Sequence, residues 1–232
     1  MLAIKQLEVG YRDKLVIKGL NMDIAEGSVH GILGMNGAGK TTLFNTLYGY
    51  VPKQTGQCLW KEKALSRAEI GYLETNSFFY PLQTGREYLQ LCAWQRPDFP
   101  FEQWNAIFRL PLDQYIDTYS TGMRQKLSLL GLLAGDFPVL LLDEPFNGLD
   151  LESAELLYQL LEELKSQHKC ILMSSHIVET VSRSCDRVSY LRDGRIQRDF
   201  ERSEFQEMEA FIRTAARKNS QRGWERVRKL ES

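Results

Sequence analysis

The chain has 232 residues, room for a sizeable core in one or two domains, and its 43% apolar and 25% charged residues match an ordinary water-soluble globular protein. Twenty-nine Lys and Arg against 30 Asp and Glu leave a net charge of -1, so no nucleic-acid partner bound through overall charge is expected. The most apolar stretch, Leu127 to Leu142, is broken by Gly131, Gly135, Asp136 and Pro138, and Lys5, Glu8, Arg12 and Asp13 interrupt Met1 to Lys18, so neither a membrane span nor a signal peptide is read.

In chain order, apolar and polar residues alternate over Leu2–Val9, and a second stretch, Leu20–Ile24, ends at Glu26-Gly27. Together they read as two edge-like strands of an antiparallel ribbon. Val29-His30-Gly31-Ile32-Leu33 is a short β-prone run entering a glycine-rich turn, and Thr41 to Tyr48 follows at helical spacing, the opening of a parallel α/β unit. From about Glu87 to Ala134, helix-like patterns at Tyr88–Trp94, Phe101–Phe108 and Arg124–Leu133 are split by Pro97, Pro100 and Pro111. They predict an inserted α-helical subdomain, about residues 75–137. The buried runs Val139–Leu142 and Cys170–Met173, separated by the amphipathic segment Leu151–Lys165, imply strand, helix and parallel strand. Beyond Glu201 the chain becomes charged and helix-prone, with seven basic and two acidic residues from Arg213 to Ser232. The expected organisation is one α/β domain over 1–205 and a charged helical tail over 206–232. Cys58, Cys92, Cys170 and Cys185 form no CxxC pair and are expected to be reduced thiols, and His30 and His168 match no motif and are read as structural.

Gly34-Met35-Asn36-Gly37-Ala38-Gly39-Lys40-Thr41 satisfies G-x-x-x-x-G-K-[ST] and lies between a predicted strand and a predicted helix, as a phosphate cradle must. Its glycines let the backbone turn N–H groups of Asn36, Gly37, Ala38, Gly39, Lys40, Thr41 and Thr42 toward phosphate oxygens, and the following helix adds its partly positive end. Lys40 is placed on the β and γ phosphates and the Thr41 hydroxyl on Mg²⁺, in a P-loop NTPase core. Asp143, ending an apolar strand, supplies a metal-facing carboxylate, and Glu144 is placed to orient or deprotonate an attacking water.

With these residues the chain resembles the ATP-binding subunits of ATP-binding cassette (ABC) transporters from Leu2 to about Phe200. Tyr119-Ser120-Thr121-Gly122-Met123 followed by Arg124-Gln125-Lys126 resembles the cassette signature, Gly148-Leu149-Asp150 the dimer-contact loop, and Ser174-Ser175-His176 the switch histidine. Tyr11 occupies the position of the aromatic residue that stacks on adenine; packing on the ribbon is its other reading. The resemblance implies ATP and Mg²⁺ as cofactors, with Glu144, His176 and Lys40 in hydrolysis, and Ser120 and Gly122 facing the γ-phosphate held by a second cassette, identical or not. The resemblance also implies contact with that second cassette through Asp150, and separate membrane-spanning subunits docked beside the helical insert. Such a subunit would sit on the cytoplasmic face of the membrane. The wording around Tyr119–Lys126 and Gly85–Leu89 resembles prokaryotic exporter cassettes. A soluble regulatory or assembly ATPase of the same family is the alternative.

Two departures stand out. Thr121 replaces the first of two consecutive signature glycines, a strained substitution if that position needs positive φ. Where the family places a metal-sensing glutamine, Ile70-Gly71-Tyr72-Leu73-Glu74-Thr75-Asn76 offers Thr75 without a gap or Glu74 after a one-residue shift. Glu74, the better oxygen ligand, is favoured. Phe78, Phe79, Tyr80 and Tyr88 are expected to line a docking groove or to enter the core.

Overall fold

The computed structural model describes residues 1–12 and 14–215, so the stretch 216–232 of the basic tail lies outside the described residues. The ribbon alternation becomes β1 (Leu2–Tyr11) and β2 (Lys14–Ile24), an antiparallel pair whose apolar residues turn to one face. Further elements are β3 (Ser28–Leu33), α1 (Lys40–Tyr48), β4 (Thr55–Trp60), β5 (Lys63–Ala64), β6 (Ile70–Leu73), α2 (Gly85–Cys92), α3 (Phe101–Phe108) and α4 (Thr121–Ala134). The chain continues through β7 (Val139–Asp143), α5 (Leu151–Ser166), β8 (Cys170–Ser175), α6 (Val178–Ser184), β9 (Arg187–Arg192) and β10 (Arg195–Glu201), and is helical again over 205–215.

These strands make two sheets, a four-stranded one in the order β2-β1-β4-β5 and a six-stranded one in the order β10-β9-β3-β8-β7-β6. The first differs from the expected ribbon. Because β4 pairs with the free side of β1, β1 is an interior strand and not an edge. The second sheet is parallel from β9 to β6 with β10 antiparallel at one edge, a mixed α/β sheet of the P-loop type. Both its faces are buried, as the continuous apolar runs require. Along β7, Leu140 and Leu142 join one hydrophobic cluster while Val139 and Leu141 join the other, and along β8, Ile171 and Met173 oppose Cys170 and Leu172 in the same way. The first cluster also contains Leu89, Phe108, Leu127 and Leu130, so α2, α3 and α4 pack on the same side of the sheet as α5.

Strand register sets where the functional side chains emerge. Leu33 lies opposite Ser175, and Asp143 opposite Ser174, so β3, β7 and β8 end together at one carboxyl edge. Ligands of open α/β sheets bind there. His30 is part of the core, its Nε2 2.7 Å from Ser189 Oγ, and burial pushes its imidazole down to about 4. Cys170 and Cys185 are buried thiols, each pushed up to about 12 by burial.

The turn between β9 and β10 clamps the two sheets and the phosphate loop together. The Lys18 N–H donates to the Gly194 carbonyl at 2.9 Å, Arg195 donates to the Lys18 carbonyl at 3.0 Å, and the Gly194 N–H donates to the Ala38 carbonyl at 3.2 Å. Gly194 sits at φ 78, and a Cβ there would lie 1.8 Å from the Val16 carbonyl oxygen. Gly194→Ala is therefore expected to lower stability by about 2–4 kcal/mol, combining backbone strain with a collision, read as a drop in the urea midpoint at unchanged slope. An unchanged midpoint would contradict this account of the turn.

Candidate active site

The residues after β3 form a loop that wraps the start of α1. Gly37 and Gly39 take φ of 80 and 111, the left-handed region where a side chain is strained, and α1 starts immediately afterwards with Lys40. The loop is fastened to the sheet by the Gly34 N–H donating to the Ser175 carbonyl at 3.2 Å. The amino end of α1 opens on a cavity of about 380 Å³ lined by Asn36, Gly37, Gly39, Lys40, Thr41 and Thr42. Across it stand Thr75, Glu144, Asn147 and His176. Ala38, also expected to face phosphate, is buried, and its N–H donates to the Met35 carbonyl at 3.1 Å.

Two carboxylates organise the cavity floor. Asp143 is fully buried and accepts three hydroxyl hydrogen bonds, from Thr41 Oγ1 at 2.8 Å, Thr75 Oγ1 at 2.9 Å and Ser174 Oγ at 2.5 Å. It has no cationic partner among the described residues. A buried anion held only by neutral hydroxyls suits a hard divalent cation, and the Thr41 and Asp143 oxygens are the donor type magnesium takes. Glu144 accepts from Lys40 Nζ at 3.2 Å through one oxygen and lies 2.9 Å from His176 Nδ1 through the other. Lys40, itself buried, also donates to the Gly34 carbonyl at 2.7 Å. Glu144 sits at φ 53 and its own N–H donates to Ser174 Oγ at 2.9 Å, so the serine fixes both neighbouring acids. The geometry thus provides a cation, a carboxylate and an imidazole in one row at the mouth of the glycine-rich loop.

Other predicted residues fall differently. Glu74 is not brought to this cavity: its carboxylate accepts from Tyr50 Oη at 3.0 Å and faces a separate groove. Thr75 is the one that reaches Asp143, because adjacent side chains leaving a strand project to opposite sides. Ile70–Leu73 is the strand β6, so the segment leading into the helical insert leaves the sheet at Glu74. Tyr11 lies at the β1–β2 hairpin, 48% exposed, and does not line the cavity, whereas Val16 of β2 does. Sequence reasoning misses Val16 and Asn147 as cavity residues and ranks Thr75 second. Asn147 lies between the two motif residues Glu144 and Asp150, and Val16 lies in the ribbon, brought beside the loop only by the fold.

The signature residues stand at the amino end of α4, away from this cavity. Ser120 caps the helix by accepting from the Met123 N–H at 3.2 Å. Thr121 is the first helical residue with an ordinary negative φ, so the strain considered for it does not arise, and Gly148, at φ 75, leaves room for its methyl. Asp150 caps α5 by accepting from the Ser153 N–H at 2.8 Å, and these bonds from Ser153 hold its carboxyl below the usual range. Gln125, buried on α4, donates to the Pro145 carbonyl at 3.2 Å and joins the signature helix to the loop after Glu144.

Residues 17–147 match the family model described as ABC transporter. The Bacillus subtilis (strain 168) protein AlbC, described as an ABC transporter ATP-binding protein, is 33% identical over 216 residues, covering 85% of this chain and 90% of its own. The Nod factor export ATP-binding protein I of Burkholderia orbicola is 33% identical over 207 residues, 82% of this chain and 67% of its own. Among solved structures, the ATP-binding subunit of an ABC transporter superposes with a TM-score of 0.80 at 27% identity, over 87% of this chain and 90% of that one.

Thr75→Val removes one of the three donors to the buried Asp143 carboxylate. It is expected to cost about 1–3 kcal/mol in urea unfolding, whereas Glu74→Gln, whose amide oxygen still accepts from Tyr50, costs less than about 0.5 kcal/mol. Equal losses would contradict the division of labour between these neighbours.

Proposed function

Because the chain belongs to the ABC transporter family as one of its ATP-binding, ATP-hydrolysing subunits, we propose that the cavity at the sheet edge is where it binds and cleaves ATP. The chain of contacts Lys40–Glu144–His176 at the mouth of the glycine loop carries this reading. ATP phosphates take the N–H groups of the loop and the end of α1, and Lys40 turns from Glu144 to the β and γ phosphates. Glu144 then holds a water in line with the γ phosphorus and accepts its proton as the oxygen bonds to phosphorus and the bond to ADP breaks. Proton acceptance by such a base supplies about a hundredfold or more in rate. His176, held by Glu144, stands at the γ-phosphoryl oxygens. Thr41 and Asp143 would hold Mg²⁺, which when bound neutralises charge on the phosphate oxygens, and Thr75 keeps the Asp143 carboxylate aimed. Tyr11, half-exposed at the β1–β2 hairpin, would stack on adenine beyond the loop.

The site is incomplete in one chain. The amino end of α4, with Ser120 exposed and Gly122 beside it, is an anion-binding helix end that faces no phosphate of its own cavity. Two chains packed head to tail would bring it to the partner's γ-phosphate, with Asp150 at the contact. No helix among the described residues is long and apolar enough to cross a membrane. Closure of the two cassettes would act on separate membrane-spanning subunits, placing the protein on the cytoplasmic face. The groove between β6 and the insert, lined by Tyr48, Tyr50, Glu74, Phe78 and Tyr88, is where they would dock. Phe78 is exposed there with the exposed Tyr80 packed edge-on against it, while Phe79 packs on Tyr88. Residues 75–137 are then the helical insert, but the α/β domain does not stop at residue 205: Phe205 and Met208 of the helix over 205–215 lie in the main hydrophobic cluster and Phe211 packs on Tyr190 and Phe200, so the first part of the expected tail belongs to the core.

Lys40→Ala is expected to weaken ATP binding at least ~10-fold in equilibrium titration, because the loop loses its cation. Glu144→Gln is expected to keep ATP affinity, lower kcat ~100-fold or more and accumulate an ATP-bound dimer in size-exclusion chromatography. Wild-type affinity in the first variant or wild-type turnover in the second would overturn the assignment of that residue.

A further inference from the structure

The loop after Glu144 is held from the side by a ring that takes no part in the hydrolytic step. Phe146 packs on Tyr158 of α5 with ring centroids 4.5 Å apart, and the Arg183 guanidinium of α6 lies over the same Tyr158 ring, 3.9 Å from its centroid. Arg183 is held in turn by Glu155, 2.5 Å away and one turn before Tyr158 on α5. Burial raises the Tyr158 phenol further above its ordinary value, so the ring stays neutral and presents its face to the guanidinium.

These contacts join the two segments that carry the reactive pair. Phe146 stands two residues after Glu144 in the loop leaving β7, and Arg183 seven residues after His176 in the helix leaving β8. Glu144 and His176 meet at 2.9 Å between them. The backbone of Glu144 is in the left-handed region, which a residue with a side chain keeps only where its surroundings impose it. Gln125 holds this loop from the α4 side through the Pro145 carbonyl, and on the α5 and α6 side Phe146 rests on Tyr158.

We propose that Tyr158 is a positioning residue for ATP hydrolysis: its ring fixes the loop after Glu144 against the helix bearing Arg183 and so sets the approach of Glu144 to His176. The proposal rests on the reading of Glu144 and His176 as the pair at the γ-phosphate. Tyr158 touches no reacting atom, so its loss should slow the chemical step and leave nucleotide binding in place. A displacement of about 1 Å at such a pair is enough for a large loss of rate.

The test uses the whole chain under conditions where the wild type hydrolyses ATP, with Tyr158→Leu, Tyr158→Phe, Arg183→Gln and Glu144→Gln side by side. Tyr158→Leu is expected to lower kcat ~10-fold with KM for ATP within ~2-fold, and Tyr158→Phe, which keeps the ring, to return kcat to within ~2-fold of wild type. Arg183→Gln, at a half-exposed position the fold tolerates, is expected to lower kcat ~3-fold, again with KM unchanged. Wild-type kcat in Tyr158→Leu, a KM that rises in step with the loss, or failure of the phenylalanine variant to restore the rate would overturn the proposal. Should Tyr158→Leu not fold, wild-type kcat in Arg183→Gln would do so alone. A Glu144→Gln variant with normal turnover would instead remove the catalytic pair itself, and an inactive Glu144→Gln beside normal Tyr158→Leu and Arg183→Gln would remove only the positioning role.

Discussion

A carboxylate with no access to water, Asp143, fixes the functional edge of this fold. A carboxyl group buried this deeply is tolerable only where hydrogen-bond partners surround it. It draws them from three separate stretches of chain, Thr41 at the start of α1, Thr75 in the loop after β6 and Ser174 at the end of β8. Each donor places something else. Thr41 follows Lys40, Thr75 opens the path into the helical insert, and Ser174 also receives the Glu144 N–H two residues before His176. The parallel register of β7 and β8 makes this convergence possible by ending both strands at the same level.

Around that centre the chain presents two helix amino ends in different directions. The end of α1 faces the cavity, and the end of α4 faces outward. The two are connected within one chain, because the loop from Glu144 to Asp150 runs between them. Gln125 ties that loop to α4, Gly148 accommodates the Thr121 methyl, and Phe146 rests on α5. A change in how α4 is engaged by a neighbour would thus be felt at Glu144 through packed, hydrogen-bonded neighbours and needs no long-range wire.

How legible the fold and site are in the sequence depends on how local each feature is. The glycine loop and Lys40 are contiguous, and the apolar runs of β3, β7 and β8 announce a sheet buried on both faces, so the core and the positions of Asp143 and Glu144 can be read directly. The choice between Glu74 and Thr75 cannot, because one residue of shift in an extended segment reverses the direction of the side chain and only tertiary pairing fixes it. The strand β4 is hidden by its polar alternation and by Gly56 at φ 91, and with it the interior place of β1. Short strands such as β6 carry too few residues for a period to show. Nothing in the sequence marks Tyr158, because its contacts with Phe146 and Arg183 exist only after folding.

The central claim is that the catalytic edge is whole only when two chains face each other. The rate of ATP hydrolysis per chain, measured across a dilution series that spans the monomer–dimer equilibrium, tests it most directly. The account predicts a specific rate that climbs with protein concentration and levels off when the dimer dominates. A sample shown to be monomeric throughout, hydrolysing ATP at a full and concentration-independent rate per chain, would contradict it.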